Sequence, residues 1–126
     1  MTQRVLAVVL IIVAHLLAPS AWAASSKVLY TAPAQGNYPT LQTLYCDILN
    51  VDTQPMSITI DVIDYFGEVV GTLGPLTTDP GKAQALGDAT GAGAYCRFTI
   101  SGSSRKVRAV GIYDNGVSYT TTIQAY

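Results

Sequence analysis

Five carboxylates stand at positions from which chemistry could be done: Asp47, Asp61, Asp64, Asp114 and Glu68, the last being the only glutamate in the chain. Paired carboxylates hydrolyse glycosides when one protonates the leaving oxygen while the other serves as base or nucleophile. That work needs a cleft and aromatic groups to grip the sugar. No spacing here selects a pair, and most of these aspartates have a turn or a solvent-facing strand position to account for them. Asp61, Asp64 and Glu68 are near enough in sequence to converge on a calcium ion at one turn, yet the chain lacks the dense run of oxygen ligands of a dedicated calcium loop. Ser103-Ser104-Arg105-Lys106 spells the S-x-x-K string of acyl-serine enzymes, which opens a buried helix in that family. Here it falls in a polar turn between two predicted strands, without companion motifs, and reads as a solvated loop. No catalytic residue, metal site or cofactor is assigned.

Tyrosine and arginine are the remaining candidates. Eight tyrosines lie between positions 30 and 126. On a near-neutral β surface this side chain offers apolar contact area with a hydrogen-bonding tip, although tyrosine also has high strand propensity. Tyr45 and Tyr95 each sit beside a cysteine and point the opposite way from it, so they are expected to contribute to one exposed aromatic patch. Arg97, Arg105, Lys106 and Arg108 gather in sequence, and could dock an anionic sugar, a phosphate or an acidic protein surface. Solvent-facing charge that protects strand edges is the ordinary alternative. The expected binding surface is Tyr45, Tyr95, Arg97 and Arg108.

The N-terminus sets the compartment in which such a surface would work. Met1-Thr2-Gln3-Arg4 precedes an apolar block from Val5 to Leu17, and Ala21-Trp22-Ala23 supplies the small residues of a processing site. This is the pattern of a secretory signal peptide over 1–23. The block is too short for a membrane span. Cleavage after Ala23 leaves 103 of the 126 residues, one domain by length. It also removes the only histidine, His15, and the only tryptophan, Trp22. A mature chain without imidazole has no Ser-His or Cys-His nucleophile system and no histidine-based catalytic zinc. Losing Arg4 leaves six Lys or Arg against eight Asp or Glu, a formal charge of −2. That is not the basic face a nucleic-acid partner requires.

Export to an oxidising compartment favours joining Cys46 and Cys96, the only thiols. In Leu44-Tyr45-Cys46-Asp47-Ile48 the cysteine shares a strand face with Leu44 and Ile48. In the second segment Ala94, Cys96, Phe98 and Ile100 share the inward face. Short alternating runs rich in Val, Ile, Thr and Tyr continue along the chain, punctuated by Gly, Pro, Asp and Asn. Strands are predicted over 27–31, 41–50, 56–63, 68–72, 83–86, 95–101, 107–113 and 117–125. Asp64-Tyr65-Phe66-Gly67 predicts a type I turn, and Asn115-Gly116 a tight type I′ hairpin. The segment 74–93 has little to bury and is expected to be loop with one weak strand. The fold class is therefore all-β, an Ig-like antiparallel sandwich of seven or eight short strands with one inter-sheet disulfide.

Tyr45-Cys46, Asn50 at the end of that strand, Tyr95-Cys96-Arg97-Phe98 and Val107-Arg108-Ala109 resemble, over 44–126, small exported bacterial proteins of uncharacterised function that carry one two-cysteine β-sandwich domain. The resemblance implies no activity. The core tryptophan of the immunoglobulin family has no counterpart, and Ala94 stands where its corner tyrosine would be, so only the architecture is shared. The functional expectation is a non-catalytic secreted or periplasmic binding or accessory module. An envelope protein or a glycan is the partner expected, with neither nucleic acid nor a membrane span after processing. A structural subunit of a surface fibre is the alternative, and a carboxylate-only hydrolase the least favoured.

Overall fold

Alternation of apolar and polar residues drives the architecture. Among the described residues of the computed structural model, 25–33, 42–90, 93–114 and 120–125, eight strands form: β1 (Ser26–Tyr30), β2 (Gln42–Asn50), β3 (Met56–Asp64), β4 (Val69–Thr78), β5 (Ala83–Thr90), β6 (Ala94–Ser101), β7 (Val107–Asp114) and β8 (Thr120–Gln124). The signal peptide predicted over 1–23 and the Asn115-Gly116 turn lie outside these residues. No helix among the described residues is long and apolar enough to cross a membrane.

Two antiparallel four-stranded sheets result, ordered β1-β6-β3-β4 and β5-β2-β7-β8. β2 turns Leu44, Cys46 and Ile48 inward, β6 turns Ala94, Cys96, Phe98 and Ile100 inward, and β3 adds Met56, Ile58, Ile60 and Val62. Each such large apolar side chain contributes about 1.5–3 kcal/mol on leaving water. A disulfide joins Cys46 to Cys96 with Cα atoms 5.7 Å apart and both residues fully buried. It ties the second strand of one sheet to the second strand of the other, as the inward placement of both cysteines predicts. The strand order is the protein's own. In the immunoglobulin arrangement the strand after the second cysteine pairs beside it, whereas β7 here crosses over to pair with β2, and β1 takes the place next to β6.

Segment 74–93 is the main departure from expectation. Its first part completes β4 and its second part is the eight-residue β5, joined at a corner where Lys82 N–H donates to the Asp79 carbonyl (3.1 Å). Low apolar content misleads here because both are edge strands. Each pairs on one side only, so few of their residues have a core to face. β4 is also interrupted. Its ladder with β3 passes from Ile58↔Leu76 to Ile60↔Leu73, so β4 carries an extra residue in a bulge at Gly74-Pro75. Gly74 has φ +109°, and a Cβ there would lie 2.5 Å from the Ile58 carbonyl oxygen and 3.1 Å from Thr59 Cα. Both neighbours are backbone and cannot yield cheaply. Gly74→Ala is therefore expected to lower stability by about 2 kcal/mol or more, read as a lower urea midpoint with an unchanged slope.

The turn at the other end of β4 forms as predicted. Gly67 N–H donates to the Asp64 carbonyl (3.1 Å) and Asp64 N–H to the Glu68 carbonyl (2.9 Å), which makes a three-residue hairpin loop. Asp64 Oδ1 accepts from the Phe66 and Glu68 amides at 2.9 and 2.8 Å.

Asn50, fully buried at the end of β2, anchors two connections at once. Its Nδ2 donates to the carbonyls of Gln54 (3.0 Å) and Thr78 (2.9 Å), while its Oδ1 accepts from Asp52 N–H (2.9 Å). Its backbone adds bonds to Lys82 and Gly81 across the β4–β5 corner. The Thr53 amide and then Lys106 (3.4 Å) hold the Asp52 carboxyl below the usual carboxylate range.

Candidate functional site

The four predicted binding residues divide between two surfaces. Tyr95 and Arg97 lie on β6 and Tyr45 and Arg108 on β2 and β7, all four facing away from the core. Since β6 belongs to one sheet and β2 and β7 to the other, the two pairs occupy opposite outer faces of the sandwich. The single aromatic patch expected of Tyr45 and Tyr95 does not form. Alternation says which way a side chain points from its own strand, but each tyrosine points outward from a different sheet.

Tyr45 has a packing role instead. Its ring lies over Gly87 of the edge strand β5, where a Cβ would come within 2.7 Å of ring atom Cε1. The outward positions of β5, Ala83, Ala85, Gly87 and Ala89, leave a low shelf that the tyrosine partly covers.

On the opposite face, Tyr95 and Arg97 acquire partners that sequence order does not bring together. The β1–β6 register sets Tyr30 beside Arg97, and the Tyr30 and Tyr95 rings meet with centroids 6.2 Å apart at 51°, within the range of favourable aromatic pairs. The β3–β6 register sets Asp61 opposite Arg97. Arg97 Nε donates to Asp61 Oδ2 (3.0 Å), and Thr72 Oγ1 donates to Asp61 Oδ1 (2.8 Å). Asp61 is buried beneath these contacts, whereas Tyr30 is 46% exposed. Ile63, in register with Tyr95 on one side and Val69 on the other, is buried on this outer face. Toward the far end of the same face hydroxyls gather around exposed Val28, with Thr99 between it and Thr59, and Ser101, whose Oγ accepts from Ser57 N–H (2.9 Å). Sequence reasoning missed Tyr30 and Thr72. Alternation within β1 was the available signal for Tyr30, but nothing local announces that β1 pairs with β6.

Arg108 borders a separate open cleft of about 480 Å³, where Val107, Ala109, Val110 and Ala125 form an apolar floor and Arg108 and Gln124 a polar rim. The cleft lies beside the beginning of β7, below the Val110–Gln124 pair and the bond from Ala125 N–H to the Ala109 carbonyl (3.1 Å). Arg108 Nη1 is held by the Val107 carbonyl (2.9 Å) and more weakly by that of Arg105 (3.4 Å).

Two of the carboxylates weighed for catalysis or calcium are engaged in structure, Asp61 with Arg97 and Thr72 and Asp64 with its own turn. No group of three or more His, Cys, Asp or Glu residues able to hold a metal ion occurs among the described residues. Ser103 caps a single 3₁₀ turn at Ser104–Lys106, its Oγ accepting from Arg105 N–H (3.4 Å), so the S-x-x-K string lies in an exposed turn. Compared with protein-family models, with curated proteins and with solved structures, the chain matches none.

Proposed function

We propose that this chain is an exported, non-catalytic binding module whose ligand is an uncharged glycan seated on the outer face of the first sheet, across Tyr30, Tyr95 and Arg97. The observation that carries this reading is the pairing of exposed Tyr30 with half-buried Tyr95 beside an arginine already neutralised by Asp61, on a face that also presents Ser57, Thr59, Thr99 and Ser101. Such a surface gives apolar ring faces for the C–H side of a sugar and fixed donors and acceptors for its hydroxyls, without a net charge that would select an ion. The buried disulfide fits an oxidising compartment, and export accords with the N-terminal pattern over 1–23.

The test is a glycan array followed by titration calorimetry on the exported protein, whose N-terminus is expected at Ala24. Tyr30→Ala and Tyr95→Ala are each expected to weaken binding about tenfold or more, the loss of one well-placed aromatic contact. Tyr45→Ala, on the opposite face, should leave it unchanged. Binding that followed Tyr45 instead of Tyr95 would overturn the assignment. Capture of an envelope protein with no glycan bound would move the partner to that class.

A further inference from the structure

Two features away from the tyrosine–arginine face fit one another. The first is the tip of the β3–β4 hairpin, where Tyr65 and Phe66 are 69% and 82% exposed and their rings meet edge to face at 5.8 Å and 84°. The Asp64 carboxylate clamps this loop through the Phe66 and Glu68 amides. The aromatic pair is thus a fixed knob, and burying it sacrifices little chain entropy. Two exposed aromatics side by side are an unfavourable way to end a hairpin unless something covers them.

The second feature is the cleft beside Arg108, which has the volume of a pocket for a compact ligand and an apolar floor. Its charge is the counterpart of the knob's. Asp64 and Glu68 flank Tyr65 and Phe66, while Arg108 lines the cleft and Arg105 stands in the 3₁₀ turn next to its Ser104 wall. Opposed potentials of this kind fix the register of a contact and favour encounter.

Their positions exclude an internal contact. The knob lies at the end of the β3–β6 ladder where Asp64 pairs with Ala94, whereas the 3₁₀ turn beside the cleft follows Ser101 at the opposite end of β6. They also lie toward opposite edges of the sandwich, β4 on one side and β8 on the other. A knob and a hole at opposite ends of one molecule make a heterologous contact, which leaves a free knob and a free hole after every addition.

We propose that the Tyr65–Phe66 knob of one copy docks into the Arg108 cleft of the next, so that the protein assembles head to tail beyond the dimer. The surfaces are distinct from the Tyr30–Tyr95 pair, and the inference stands whether or not that face binds a glycan.

Sedimentation of the exported protein over a wide concentration range tests it. The weight-average mass should rise with concentration past that of a dimer. Phe66→Ala should weaken each association step by about 30-fold, as for a buried aromatic anchor, and Gln124→Trp, which fills the cleft from its exposed rim, should do the same. Tyr95→Ala should leave assembly intact. Mixing the Phe66→Ala and Gln124→Trp proteins is the decisive arm. One retains the hole and the other the knob, so together they should form a heterodimer that grows no further. A mass that stays monomeric, saturates at a two-fold dimer, or is indifferent to both variants would overturn the proposal, as would growth abolished by Tyr95→Ala. Circular dichroism and an intact disulfide on each variant guard against reading misfolding as lost assembly.

Discussion

Replacing Cys46 and Cys96 together by alanine is expected to destabilise the fold by about 4 kcal/mol, since the bond closes a loop spanning 50 positions in sequence and so restricts the unfolded chain. For a domain of this size that loss corresponds to a fall in Tm of about 20 °C. It is a large fraction of the roughly 5–15 kcal/mol that ordinarily separates folded from unfolded domains. Thermal unfolding followed by circular dichroism, with and without reductant, measures it. The wild-type protein in reductant should approach the double variant, and the variant itself should not respond to reductant. A midpoint that barely moved would mean that the packed faces of Phe98, Leu44, Ile60 and their neighbours hold the sheets together without covalent help.

Asn50→Asp should rival that effect. The amide nitrogen faces two carbonyl oxygens, those of Gln54 and Thr78, inside a site with no solvent exposure. A carboxylate presents lone pairs to both, loses two donors and places a charge where water cannot reach it. Unsatisfied buried groups cost about 1–3 kcal/mol apiece, and a buried charge more. A loss of about 3–5 kcal/mol is expected at neutral pH, smaller in mild acid where protonation returns one donor. Chemical denaturation at two pH values checks both the size and the sign. Asn50→Asp stability that was flat with pH would show that the site admits water.

How far these features were legible depends on whether they are local. The inward faces of the two cysteine strands follow from alternation alone, and so does their union, given only two thiols. The Asp64–Gly67 turn is equally local, because its carboxylate and its glycine act within four residues. Asn50 is different: in sequence it looks like a polar residue ending a strand, and its importance comes from Thr78, distant in the chain, arriving with a free carbonyl. Tyr45 and Tyr95 illustrate the same boundary. Each outward direction was readable, but that they face apart depends on which sheet each strand joins, a long-range pairing no short window contains. Segment 74–93 failed for the converse reason. Ala, Gly and Thr suffice for an edge strand that leans on β2 or β3 for its ladder, so a search for apolar content overlooks it.

The placement of the covalent cross-link also bears on tension. A pull exerted between the β3–β4 hairpin and the beginning of β7 passes from β3 through its ladder to β6, across Cys96 and Cys46 to β2, and through a second ladder to β7. Every non-covalent link on that route is a run of seven or eight cross-strand residue pairs, and the transfer between layers, where apolar packing and a few peripheral polar contacts such as Asn50 with Thr78 would otherwise resist separation, is made by a sulfur–sulfur bond. Strung in series, such units would yield by shearing strands within a layer before the layers parted, and a reducing agent would convert a stiff element into a weak one without altering its shape.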